Sequence, residues 1–408
     1  MRVTSSTFYK DYAQSVQNLK SIYNKSMEQV SSGKKYENAA ESPLDYYAGK
    51  KIDNLYNDAV TKDTMIKDVM NRLEQQEASS RSMYEQMGTL NIKYEQMASA
   101  SFQGLESTVD TMHTLFINSQ QTMAQDLNSS YSNYYVMGGN DATTVPFTMS
   151  DDGMTLTYHH KFAGDDTATV MSMEYYYDDT DSDPNNWQYK YKYYGTDETG
   201  AAMDEQTTLT KIVLAMREQG RMSLGYGDIT TLSTLPDTYY GGLNMATGLT
   251  SEKLRSMDDK ATGTPAIQDN IDAFKEAMLT SGFALNSRAI LTTGNYLETF
   301  KSNYTEEEHA EAQETMNSDL AYVLENWDGA MRQVSNTFRR IGVVTSTLED
   351  VQSRLQTAQD SYIKEYNDHL AIDTYDAIVK MYQNQFSYNA AMQVGSKIMQ
   401  NSLFDFVR

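Results

Sequence analysis

The sequence predicts a mainly α protein in which both chain ends form a long helical coiled coil or bundle, with an inserted mixed β/α domain. Three observations carry that expectation. Apolar residues recur at steps of three and four over long stretches of both flanks. Fifteen of the 22 glycines, and four of the five prolines, fall between Gly138 and Gly294. Inside that span the apolar spacing changes to two, the period of a half-buried strand. The expected division is therefore 1–42 with 371–408 as terminal assembly helices, 43–137 with 303–370 as an antiparallel helical bundle, and 138–302 as a β-rich outer domain.

The first helix is carried by Phe8, Tyr12, Val16, Leu19, Tyr23, Met27 and Val30. Their mean spacing is close to that of an undistorted helix, which predicts a nearly straight seam. Ser31-Ser32-Gly33 stops it. Ser42-Pro43 has the form of an N-cap serine followed by a proline at the first helical position, with Asp45 in the first turn. From Ile52 to Met97 the alternation of three and four runs without a slip, and eleven of its fourteen positions are apolar. A third helix is expected from Leu105 through Val109, Phe116 and Met123 to about Asn128.

In the middle, Val145–Met149 and Met154–Tyr158 flank a Ser-Asp-Asp-Gly turn and read as a β-hairpin. Met171, Met173, Tyr175 and Tyr177 share one strand face, and Tyr189, Tyr191 and Tyr193 share another. Leu209–Met216 and a stretch capped by Thr264-Pro265 are expected as short helices, whereas 219–250 and 281–303 carry no clear pattern. Helix returns at Thr305, which has capping-box spacing to Glu308. Leu324, Trp327, Met331, Val334, Phe338, Ile341, Leu348 and Leu355 then continue on heptads. The closing helix starts at Asp373 and carries an apolar seam through Tyr375, Ile378, Tyr382, Met392, Met399, Leu403 and Phe406.

Composition narrows the function. A net charge of −23 and no Lys/Arg cluster argue against a nucleic-acid partner. Zero cysteines exclude disulfides, thiolate metal sites and cysteine nucleophiles together. The longest aliphatic run, Ile212–Met216, is too short to cross a bilayer, and the N-terminus lacks the apolar core of a secretory signal, so no membrane insertion and no cleaved signal are expected. Asp179, Asp181 and Asp183 imitate the start of a calcium loop, but Pro184 stands where that loop needs glycine and Lys190 where it needs glutamate. His159 and His160 are adjacent, so on a strand they face opposite sides, and both are expected at the surface. No motif for a nucleophile, a phosphate loop or a metal hydrolase occurs, and neither an enzyme nor a cofactor is expected.

Several stretches together resemble one family. Met1-Arg2-Val3-Thr4-Ser5 with Tyr9, the run Gln29–Lys35 followed by Asn38 and Ser42-Pro43, the passage Asn128–Phe147 with its paired glycines, and Ala390–Phe406 are similar to the hook-filament junction proteins of the flagellin superfamily. The resemblance covers about residues 1–147 and 320–408. It departs at the connector NAAESP, where the family has a more acidic stretch, and at Val407-Arg408, which extend past the family's usual end. A minor flagellin and a surface adhesive or glycan-binding relative are the alternatives.

The resemblance implies a structural subunit of the bacterial flagellum, exported unfolded by the type III apparatus and held near its C-terminus by a cytoplasmic chaperone. It implies self-association in a ring, with another hook-associated protein and flagellin as neighbours, outside the cell. On that reading Tyr375, Ile378, Tyr382, Met392, Met399, Leu403 and Phe406 carry C-terminal assembly, with Phe8, Tyr12, Val16, Leu19 and Tyr23 as their N-terminal counterparts.

Overall fold

The computed structural model describes residues 5–99, 102–180, 188–218, 241–301 and 304–406, with side chains for all of these except 5–6 and 398–406. The described chain is mainly α with a small antiparallel sheet inserted between helical flanks. It forms two compact units, one of Met1–Thr64 with Val351–Arg408 and one of Met65–Asp350.

The first unit contains α1 (Ser5–Ser32), the start of α2 (Pro43–Met97), the end of α9 (Glu306–Leu370) and α10 (Thr374–Phe406). Here α2 and α9 run antiparallel. His369 Nδ1 lies 3.2 Å from Asp45 Oδ1 at one end of the pair, and Gln352 Nε2 donates to Asp63 Oδ1 at 3.0 Å at the other. Ile52, Ala59, Leu355 and Leu370 are buried between them. Gly49 makes the close approach possible, because a Cβ there would stand 2.0 Å from Leu370 Cδ1. The expected N-cap at Ser42 takes another form: its Oγ donates to the Asp45 carboxylate at 2.9 Å rather than accepting from a backbone amide.

The second unit contains the rest of α2 and α9 with α3 (Glu106–Asp126), α8 (Gly282–Glu298) and the inserted elements. The α2 seam of the sequence is the buried edge here, from Ile66, Val69 and Leu73 to Leu90, Tyr94 and Met97. Trp327 of α9 is fully buried and donates from Nε1 to the Met87 carbonyl at 2.9 Å. The capping box at Thr305 forms as its spacing predicts, with Thr305 N donating to Glu308 Oε2 at 2.7 Å and Glu308 N to Thr305 Oγ1 at 3.2 Å.

A short hairpin, β1 (Ser130–Tyr131) with β2 (Tyr134–Tyr135), turns through Ser132 and Asn133, both at positive φ, as a tight two-residue loop requires. The main sheet is an antiparallel meander of β3 (Phe147–Met149), β4 (Thr155–His160), β5 (Thr169–Asp178), β6 (Gln188–Thr196) and β7 (Ala202–Met203). Its register pairs Leu156 with Met173, Tyr158 with Met171, and Tyr175 with Tyr191, so the period-two residues of the sequence share one face. That face packs into the core with α4 (Glu205–Arg217), α7 (Ile267–Leu279) and the two short helices α5 (Gly242–Thr247) and α6 (Ser251–Ser256).

Three expectations differ from this fold. Thr264-Pro265 does not cap α7; Ala266 precedes it without a side-chain cap, and its amide is held by Asp258 Oδ1 at 3.0 Å. The stretch without a pattern, 281–303, contains α8, an enclosed helix with Phe283, Ala284, Leu285, Ala289 and Tyr296 all buried. His160 is not at the surface. It is buried against Tyr158, whose hydroxyl lies 2.9 Å from its Nδ1, because the strand alternation that leaves His159 half-buried on one face turns His160 into the core. The acidic residues Asp181 and Asp183 lie outside the described residues.

Candidate assembly interface

The two chain ends meet each other. Tyr12 Oη of α1 donates to the Ala391 carbonyl of α10 at 2.6 Å, Tyr23 stacks on Tyr388 with ring centroids 6.4 Å apart, and Asn384 Nδ2 donates to Ser26 Oγ at 2.6 Å. Rising numbers on one helix meet falling numbers on the other, so the pair is antiparallel. Where it begins, the loops are stitched by a short β-bridge between Lys34 and Ala371, with Lys35 N donating to Leu370 O at 2.7 Å and Ile372 N to Gly33 O at 3.0 Å. Asp45, beside this joint, has its pKa held below the ordinary carboxylate range by hydrogen bonds from His369 and then Ser42.

On α1 the face toward α10 is Tyr9, Tyr12, Val16, Leu19, Tyr23 and Ser26, all at least half-buried. Four of the five predicted N-terminal residues, Tyr12, Val16, Leu19 and Tyr23, therefore lie in the contact. Phe8 does not, being 51% exposed.

On α10 the residues meeting α1 include Ala377, Met381, Asn384, Tyr388, Ala391 and Gly395, and beside them Gln385 Nε2 donates to Tyr23 Oη at 3.4 Å. They recur at steps of four and three, but most are small or polar, so no hydropathy pattern marks them. The signal present in the sequence is Gly395 itself, the one glycine of α10. A Cβ on Gly395 would stand 1.9 Å from Tyr12 Oη, so the tyrosine ring occupies the place that any other residue would fill. An open groove of about 530 Å³ runs beside this contact, lined by Tyr12, Val16, Met392 and Gly395 among others.

The four residues of the predicted C-terminal seam whose side chains are described are exposed. Tyr375 is 77% exposed, Tyr382 61%, Met392 49% and Ile378 37%. Phe386 and Val394 are also exposed, so α10 presents large apolar side chains along the sides that α1 leaves uncovered. Met399, Leu403 and Phe406 lie on the described backbone of α10, but their side chains are outside the described residues.

Among the described residues no group of three or more His, Asp and Glu could hold a metal ion, and no helix is long and apolar enough to cross a membrane. No protein-family model matches the chain, and no curated protein matches it.

Proposed function

We propose that this chain is a structural subunit of the bacterial flagellum, an adapter of the hook-associated protein 3 type at the hook-filament junction, which assembles through its two terminal helices after unfolded export. The observation that carries the reading is the exposed apolar seam of α10. Tyr375, Ile378, Tyr382, Phe386 and Met392 remain in solvent although α1 already covers another face of the same helix. Isolated exposed apolar residues are ordinary, whereas a run of them along one helix marks a surface that meets another protein.

The small residues Ala377, Ala391 and Gly395 on the α10 side of the contact with α1 support the same reading. A chain that must unfold for export gains from ends that open readily. The occupants of the open seam are then adjacent copies in a ring, with flagellin and a second hook-associated protein above and below. Before export, the same seam is the place for a cytoplasmic chaperone.

The test is the position of the protein in isolated flagella, by immunogold labelling, combined with deletion of residues 374–408. The expected result is a label confined to the hook-filament boundary, and a truncated chain that remains soluble and helical but builds no filament. Label along the whole filament would instead make it a minor flagellin, and normal filaments from the truncated chain would remove the assembly role of α10.

A further inference from the structure

The α2–α9 pair of the first unit contains a groove apart from the contact between the chain ends. Its volume is about 310 Å³, and it is lined by Ile52, Asp53 and Tyr56 of α2 and by Tyr362, Ile363 and Tyr366 of α9. Ile52 with Tyr56, and Tyr362 with Tyr366, stand four residues apart, so each wall repeats at about 6 Å along its helix. Such a repeat is the complement of a third helix that carries large side chains one turn apart.

The chemistry of the groove restricts what enters it. Ile363 is 45% exposed, and the hydroxyls of Tyr56, Tyr362 and Tyr366 have no hydrogen-bond partner among the described residues. The charged residue of the lining, Asp53, is met by Lys50 at 3.8 Å. The groove is therefore apolar at its two isoleucines, able to hydrogen-bond along its rim, and close to neutral.

The matching ridge is on α10. Tyr375, Val379, Tyr382, Phe386, Asn389 and Gln393 recur at steps of four and three on the side of α10 opposite its contact with α1, and all six are exposed. Phe386 is 75% exposed, and the side-chain amides of Asn389 and Gln393 have no partner among the described residues. The run 381–396 holds no charged residue, in a chain that is 22% charged. That neutrality selects the occupant. A chain of net charge −23 repels its own copies over most of its surface, so copies meet where both faces are neutral, and uncharged aromatic faces are what such contacts bury.

We infer that the α2–α9 groove receives the α10 ridge of a second copy. Phe386 enters beside Ile52 and Ile363, and the three tyrosine hydroxyls bond the amides of Asn389 and Gln393. Each chain's own α10 is held against α1 and leaves the groove open. Ridge and groove are different surfaces, so the contact is head-to-tail, the kind that closes into a ring. The inference rests on the proposed self-association and adds which surface of the neighbour the seam meets.

The experiment is sedimentation velocity at raised ionic strength, where self-repulsion is screened, on the full-length chain and on Ile363→Ser and Phe386→Ser, alone and mixed. The intact chain is expected to self-associate as its concentration rises. Each variant alone should associate about tenfold more weakly. Mixed in equal amounts, the two should form a heterodimer and nothing larger, because one keeps its ridge and the other its groove. Both positions are exposed, so thermal melts should match that of the intact chain. Tyr366→Phe, which removes a single hydroxyl, should weaken association about threefold without touching the fold. Benzoylphenylalanine in place of Phe386 should crosslink, under ultraviolet light, to α2 and α9 peptides of an isotopically labelled copy. Crosslinks to a neighbour's α1 or α10, association untouched by Ile363→Ser, or a chain that stays monomeric would each overturn the inference. Any of these with label at the hook-filament boundary would leave the proposed function standing; head-to-tail dimers of a protein absent from flagella would keep the contact and remove that function.

Discussion

Gly395→Ala tests the contact between the chain ends, because the same substitution should have opposite signs in two backgrounds. In an isolated helix, replacing glycine by alanine stabilises by about 1 kcal/mol. In this chain the new methyl would fall 1.9 Å from Tyr12 Oη and 2.4 Å from Cζ, so the ring must leave. Its departure breaks the hydrogen bond to Ala391 O, about 0.5–1.5 kcal/mol, and forces repacking of the kind that costs about 1–3 kcal/mol. The net expected effect is a loss of about 1–2 kcal/mol in the α1–α10 pair. With Tyr12→Ala already in place the obstacle is gone, and Gly395→Ala should then stabilise α10 by about 1 kcal/mol. Trp327 lies in the other unit and does not report on these helices, so the assay is hydrogen exchange of amides in α1 and α10. Equal effects of Gly395→Ala in both backgrounds would refute the packing described here.

Three further outcomes are expected. Asn286→Ala should destabilise the second unit by about 2–5 kcal/mol in urea titrations followed by Trp327 fluorescence; it leaves the buried Tyr94 hydroxyl and Gln120 Oε1 without the partners they now have at 2.5 and 2.7 Å. Acidification should act in two steps. Burial lowers the pKa of His113, His159 and His160, so below about 6.5 the unfolded chain binds protons that the folded chain refuses; stability is full above that value and is lost as pH falls toward the folded pKa values. Asp258, held low by its hydrogen bond from Arg217, adds a second loss only near pH 4 and below, and His160→Gln should flatten the first step in thermal melts from pH 7.5 to 5 while leaving the second. Finally, Tyr382→Ser alters a residue that is 61% exposed, so monomer stability should change by no more than about 0.5 kcal/mol while filament growth is reduced; equal growth would separate this seam from assembly.

The long helices were legible because each has a buried edge and a wet one. The α2 seam from Ile66 to Met97 is buried at each of its positions, including the polar Gln76 and Ser80. It slips only near its start, where Leu55 is 39% exposed and Asp63, rather than Lys62, is buried under Gln352. The strand faces were legible for the same reason, since the period of two survives wherever one face is dry. By contrast α8 was hidden because it is enclosed on most sides, and Gly282, Ser287, Thr292 and Thr293 interrupt any apolar stripe. A start signal was present, since Ser281 caps the helix by accepting from Ala284 N at 3.3 Å, but a lone serine between unpatterned residues carries little weight.

The α10 helix fails differently, and its failure is the informative one. Apolar spacing marks the seam with the largest side chains, and on α10 the described part of that seam is exposed while Ala377, Met381, Asn384, Tyr388, Ala391 and Gly395 meet the partner. Tyr12 of α1 projects across the contact and Ala391 and Gly395 recede to admit it, while Tyr23 stacks on Tyr388. Tyr375, Tyr382 and Phe386 of α10 take no part in this contact. A helix of 33 residues costs about 1–2 kcal/mol per residue in backbone order, and hydrogen bonds and a polar seam offset only part of that. Each further Tyr, Ile or Met covered by a neighbouring copy would return about 1.5–3 kcal/mol. On the proposed function, stability withheld from the free chain would become available when neighbouring copies cover that seam.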